Sequence, residues 1–146
     1  MAIHIKNTLA LRLLAIAAMF GAIQCYGAVP LPTPAPSDPV TGVVLQLGVQ
    51  NSTNLDCSHL VHAVYEKAGL PYRYATSRAL YSGRDEFRRV SQPGAGDLIV
   101  WRGHVGIVLD PVRHSFLSAL RRRIKLSSYV SGYWKKRGKP RFLKFG

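Results

Sequence analysis

Hydrophobic positions follow three different patterns along this chain. From Leu13 to Ile23 they run without a charge, preceded by Lys6 and Arg12 and followed by small residues at Gly27 and Ala28. A basic start, a short apolar stretch and a small-residue cleavage point describe a secretory signal. The run is too short to span a bilayer comfortably. Residues 1–28 are therefore read as an export signal, in preference to an uncleaved anchor or a buried helix. Residues 29–39 hold five prolines and no aromatic residue, which predicts a semi-rigid extended linker. The folded domain is expected over residues 40–146, a sufficient length for one core.

Inside that domain the pattern is first helical, then alternating. Val40 to Leu47 is a short apolar piece, helix or strand, and Asn51 to Asn54 is a polar loop. Residues 57–68 place Leu60, Val61, Val64, Tyr65 and Ala68 on one helical stripe. Asp56 is placed to cap its start, and Gly69 with Pro71 to stop it. A second short helix is expected from Thr76 to Tyr81. Pro93 to Gly96 reads as a turn, with Asp97 fixing it. Short strands are expected over Asp97–Trp101, His104–Leu109, Ser115–Leu120, Ile124–Leu126 and Arg141–Phe145, with one helical turn within Ser127–Trp134. One helix followed by consecutive short strands on tight turns is an α+β arrangement built on an antiparallel meander.

Charge changes the picture of partners. The chain carries 20 Lys+Arg against 7 Asp+Glu, a formal +13, and loss of residues 1–28 removes Lys6 and Arg12 and no acid, leaving +11. No acid follows Asp110, while residues 111–146 hold eleven cations. A field of one sign attracts polyanions. Nucleic acid is not expected for an exported protein, so an anionic envelope surface is the better match, set against a basic face that only keeps the chain soluble.

The chemistry centres on the cysteines. There are two and no CxxC, so neither a disulfide framework nor a structural zinc site is expected. Gln24 before Cys25 is not the small residue a lipid attachment signal requires. Removal of the leader leaves Cys57 as the single thiol, either buried or reactive. Its place in the first turn of a helix favours negative charge on sulfur. A proton acceptor is then needed, and His104, opening a strand after a two-residue connection, is the candidate. Cysteine and histidine from separate elements suit nucleophilic acyl transfer. His59 and His62 sit three apart on one helix without a third ligand, so no metal is expected. Trp101 and Trp134 read as core or cleft-rim aromatics.

Leu55-Asp56-Cys57-Ser58, followed by an apolar helix ending in Ala68-Gly69-Leu70-Pro71, resembles the NlpC-type cell-wall cysteine peptidases. So do Pro93-Gly94-Ala95-Gly96-Asp97-Leu98, then His104-Val105-Gly106-Ile107, and the tail Tyr133-Trp134-Lys135-Lys136-Arg137. The resemblance spans about residues 45–142 in order. It implies a papain-like α+β fold in which an N-terminal catalytic helix packs on an antiparallel sheet. It also implies hydrolysis of murein stem peptides, often between D-glutamate and the diamino acid, with Cys57 as nucleophile and His104 as base. The Cys57 amide would help hold the oxyanion, and Asp56 and Ser58 would bind substrate.

The sequence departs from the family pattern at three places. His59 stands where glycine usually follows Asp-Cys-Ser. Ser118, in Phe116-Leu117-Ser118-Ala119, stands where a histidine commonly orients the base, and His114 is its rival under a different strand register. The tyrosine and paired glycines usual before the cysteine are missing. The reading is thus a secreted or periplasmic peptidoglycan peptidase, monomeric and without a cofactor. The alternatives are a catalytically weak envelope-binding module of the same fold and a Cys-His hydrolase or effector acting on another amide or ester.

Overall fold

The computed structural model describes residues 38–47 and 53–146; the expected signal and almost all of the proline-rich segment lie outside the described residues. Helix α1 covers Pro39–Leu47. Proline is well suited to a first helical position, and the Asp38 carboxylate accepts from the Val40 amide at 2.9 Å. Val40, Val43 and Val44 fall on one side of α1 and are buried. The sequence had left this piece open between helix and strand.

Helix α2, Cys57–Lys67, follows from the stripe of apolar residues: Leu60, Val61, Val64 and Tyr65 are all buried. Asp56 Oδ1 accepts from the Ser58 and His59 amides at 2.8 and 2.9 Å, satisfying two of the four orphan donors of a helix start. The stop is Gly69 at φ +77, a left-handed conformation that glycine adopts without strain. We expect Asp56→Ala to cost about 1 kcal/mol of stability, visible as a lower thermal midpoint. Asp56→Asn, which still caps, should keep most of it, and an unchanged midpoint in Asp56→Ala would show that the cap is not a stabilising contact. Helix α3, Ser77–Ser82, is capped by the Thr76 hydroxyl, which accepts from Ala79 N.

Six strands form one antiparallel sheet in the order β1-β6-β2-β3-β4-β5. They are β1 Phe87–Val90, β2 Leu98–Trp101, β3 His104–Asp110, β4 Ser115–Leu120, β5 Arg123–Ser128 and β6 Arg141–Phe145. The meander expected from the sequence is β2 to β5. Two features were not expected. Strand β1 reads Phe-Arg-Arg-Val, half charged and without apolar alternation, and it exists because it is an edge strand pairing with β6, Phe87 opposite Phe145. The helical turn within 127–134 is confined to α4, Gly132–Lys135, because β5 continues to Ser128.

Alternation along the strands builds two apolar layers. One contains Leu98, Val100, Val105, Ile107, Leu117 and Ala119, packed with α1, α2 and Leu80 of α3. The other contains Ile99, Trp101, Val108 and Phe116, covered by Trp134 of α4. Strand β2 is buried throughout because both faces are covered. The Tyr65 hydroxyl donates to Gly96 O at 2.6 Å, and Asp97 Oδ2 accepts from Gly94 N at 2.7 Å. The first bond ties α2 to the turn before β2, and the second closes that turn.

Candidate active site

Cys57 is the first residue of α2, half-buried, with a free thiol at the margin of the first layer. The capped helix start aims backbone N–H groups toward this end, which favours negative charge there. Its Sγ lies 4.0 Å from Ser58 Oγ. Ser58 itself is buried, and its Oγ accepts from Ser77 N at 3.0 Å, pinning the start of α3 to the start of α2.

Asp56 is exposed, and besides capping the helix its Oδ2 lies 3.0 Å from His59 Nδ1. Partial desolvation works against the Asp56 carboxylate, but hydrogen bonds and charge from His59, with the Ser58 amide, hold it below the ordinary range. The His59 ring stacks on Tyr74, centroids 4.5 Å apart, and the Tyr74 hydroxyl is 3.4 Å from His59 Nδ1. The Tyr74 phenol is pushed up by desolvation and by the nearby negative charge of Asp56. Tyr74 thus stacks on the first turn of α2, on the residue two positions after the thiol. Nothing in the sequence singled it out; the residue that could have pointed to it is His59, whose ring replaces the usual glycine and needs a partner.

His104 opens β3 and is 4 % exposed. Its Nε2 is 2.9 Å from Ser118 Oγ on β4, which is fully buried. The two side chains share a sheet face because their strands alternate in step. That face carries the tryptophans: the His104 ring centroid is 4.8 Å from that of Trp134 and 6.3 Å from that of Trp101. Trp101 Nε1 donates to Gly138 O, anchoring the chain after α4 over this face. Burial, with a contribution from the nearby Arg137 charge, lowers the His104 pKa to about 4. The imidazole is therefore neutral at pH 7, with one nitrogen committed to Ser118.

The structure brings His104 and Ser118 together and sets Cys57, Ser58 and Asp56 side by side. Among the described residues no hydrogen bond joins the thiol to the imidazole: Sγ reaches Ser58, and the assigned His104 bond is to Ser118. His114 lies in the turn after the far end of β3, exposed, at φ 57, with its ring against Tyr129. His62 Nε2 is 3.0 Å from Tyr72 O. Among the described residues there is no group of three or more His, Cys, Asp or Glu placed to hold a metal. Trp101 and Trp134 are both buried core residues of the second layer.

The family model described as NlpC/P60 family matches residues 42–139. Among solved structures, the chain is similar to a Staphylococcus aureus protein described as similar to lipoprotein, NLP/P60 family. The two share 23% identity at a TM-score of 0.57, over 72% of this chain and 41% of that one. The chain therefore spans less than half of that protein, and at this identity the likeness concerns the fold. No curated protein matches the sequence. Among the described residues no helix is long and apolar enough to cross a membrane.

Proposed function

Since the chain belongs to the NlpC/P60 family, a papain-like family of cell-wall peptidases, we propose that it is an exported monomeric cysteine peptidase. It hydrolyses amide bonds of peptidoglycan stem peptides, with the D-glutamyl–diamino acid bond as the target. In this proposal Cys57 Sγ attacks the carbonyl carbon and His104 takes the thiol proton. The Cys57 amide N–H holds the oxyanion. The tetrahedral adduct expels the amine, which leaves with the proton returned by His104. A water then attacks the thioester carbonyl, giving up its proton to His104, and the acid and the free thiol are released. Asp56 meets the substrate at the rim with His59 and Tyr74. Ser58, being buried, contributes by fixing α3 against the nucleophile.

The observation that carries this reading is the buried His104–Ser118 hydrogen bond. With Nε2 held by Ser118, Nδ1 remains as the nitrogen that exchanges protons, and the imidazole meets the thiol as a neutral acceptor. Among the described residues Cys57 and His104 share no hydrogen bond, so the proposal requires the two to meet in the substrate complex, where catalytic hydrogen bonds often tighten. The test is kinetic. The reactive form of His104 is the neutral one, and its folded pKa lies near 4, below the ordinary 6.5. The acid limb of kcat/KM is therefore expected near pH 4 and not near 6.5. Ser118→Ala should lower kcat roughly tenfold to a hundredfold with KM little changed, and Ser118→Asn, which still offers an oxygen acceptor, should restore part of it. Unaltered kcat in Ser118→Ala would remove Ser118 from the machinery.

A further inference from the structure

Three arginines converge on one concavity whose lining includes neither the thiol nor the imidazole. It has a volume of about 580 Å³ and is lined by Arg78, Tyr81, Ser82, Arg102 and Arg141. The cations come from three elements: Arg78 from α3, Arg102 from the turn between β2 and β3, and Arg141 from the start of β6. The Tyr81 ring is the shared floor, with the Arg141 guanidinium carbon 4.0 Å and that of Arg102 5.6 Å from its centroid. Arg141 also donates through Nη1 to the Tyr81 carbonyl, so its planar head is held in place. A second concavity of about 470 Å³ shares Tyr81 and Arg141 in its lining and adds Arg89 and Lys139.

No carboxylate balances this charge. All seven acidic side chains of the sequence lie within the described residues. The ion pairs they make are with His59, His62, Arg84 and Arg113. Stacking on Tyr81 offsets part of the repulsion between the guanidiniums, and an anion between them would remove more. A carboxylate carries a single charge on two oxygens in one plane, and one bidentate arginine takes up half of its acceptor sites. A phosphoryl group offers three or more and more charge, and matches several guanidinium forks at once. A neighbouring concavity with two further cations suits a ligand with more than one such group.

We propose that this arginine concavity binds phosphoryl groups of an anionic envelope component. The lining of this concavity includes none of Cys57, His104 and Ser118, and the proposal does not depend on the peptidase reading. It also relocates the basic surface: of the eleven cations in 111–146, this site uses Arg141 and Lys139, and the others that build it come from earlier in the chain.

The test is calorimetric titration of the full chain with inorganic pyrophosphate at low salt, with malonate as the carboxylate comparison. Wild type should bind pyrophosphate at least tenfold more tightly than malonate. Arg78→Ala with Arg102→Ala, both exposed and outside the core, should weaken pyrophosphate binding at least tenfold. A charge-matched pair elsewhere, Lys67→Ala with Lys136→Ala, should change it less than twofold. Equal weakening in both double variants would overturn the site in favour of net charge alone, and equal affinity for malonate would overturn the phosphoryl assignment. Cosedimentation with phosphatidylglycerol vesicles and titration with soluble polyphosphate distinguish the source. Selective loss on vesicles by the arginine variant supports the site with a lipid headgroup as ligand, and selective loss on polyphosphate supports it with a polymer. Since none of these measurements reads hydrolysis, failure here is separable from failure of the peptidase proposal.

Discussion

Replacing Cys57 by alanine is expected to abolish release of stem-peptide fragments from purified sacculi under reducing conditions, lowering the rate by at least roughly a thousandfold. Without the sulfur there is no atom to form the thioester, and neither the helix start nor the neutral imidazole can replace it. The substitution should leave the fold alone, because Cys57 lies at the margin of the first layer and is only half-buried. Binding to sacculi should therefore persist in the variant, and Cys57→Ser should bind as well while hydrolysing far more slowly than wild type. Mass spectrometry of the soluble products reads both the rate and the bond cleaved. Fragment release by Cys57→Ala equal to wild type would remove Cys57 as nucleophile. Wild-type protein that binds sacculi but releases nothing between about pH 4 and 8 would instead favour the binding module. That reading has its own support in the unjoined thiol and imidazole and in serine at the orienting position.

The second large effect is expected at Gly106, and it acts on stability first. A Cβ built there would stand 2.5 Å from Phe116 Cδ2 and 2.6 Å from the Leu117 carbonyl oxygen. The ring is buried among Trp101, Trp134 and Tyr129 and has no room to turn away. The carbonyl belongs to the backbone of β4. Gly106→Ala must therefore separate β3 from β4, and overpacking of this kind costs about 3 kcal/mol. His104 and Ser118 sit on those two strands, so the variant should also lose activity in the fraction that remains folded. Chemical denaturation, with kinetics measured below the transition, separates the two losses. An alanine variant as stable and as active as wild type would show that the strands tolerate the shift. Phe116→Ala alone should also destabilise, by about 3–5 kcal/mol. Combined with Gly106→Ala it should cost less than the sum, because the deleted ring vacates the space the new methyl needs.

Much of the domain was legible along the chain. Asp56, the apolar stripe of residues 57–68 and the Gly69 stop locate α2 without any knowledge of its surroundings, because capping, periodicity and termination are local. The strands β2, β3 and β4 were equally plain, and with them the expectation of an α+β fold on an antiparallel sheet. Strand β1 was not legible: two of its four residues are arginines, and its stability comes from pairing with a segment more than fifty residues downstream. The insertion of β6 between β1 and β2 was hidden for the same reason. The extent of β5 was understated because its Ser127–Ser128 end has no apolar signal.

The candidate site divides along the same line. Residue types, order and spacing were enough to bring forward Cys57 and His104, and to suggest a helix start as the seat of the sulfur, since these depend on near neighbours; Ser118 came forward only through the family resemblance. Tertiary structure decided what those residues touch. It settled which hydroxyl meets His104 Nε2, placed His114 at the other end of the strand, buried Ser58 against Ser77 and set Tyr74 on His59. It also gave His104 a neutral imidazole, because the aromatic layer of Trp101 and Trp134 withdraws the ring from water, and it gathered arginines from α3, a β-turn and β6 over one tyrosine. Desolvation and the convergence of distant charges are properties of a surface folded on itself, and no local pattern encodes them.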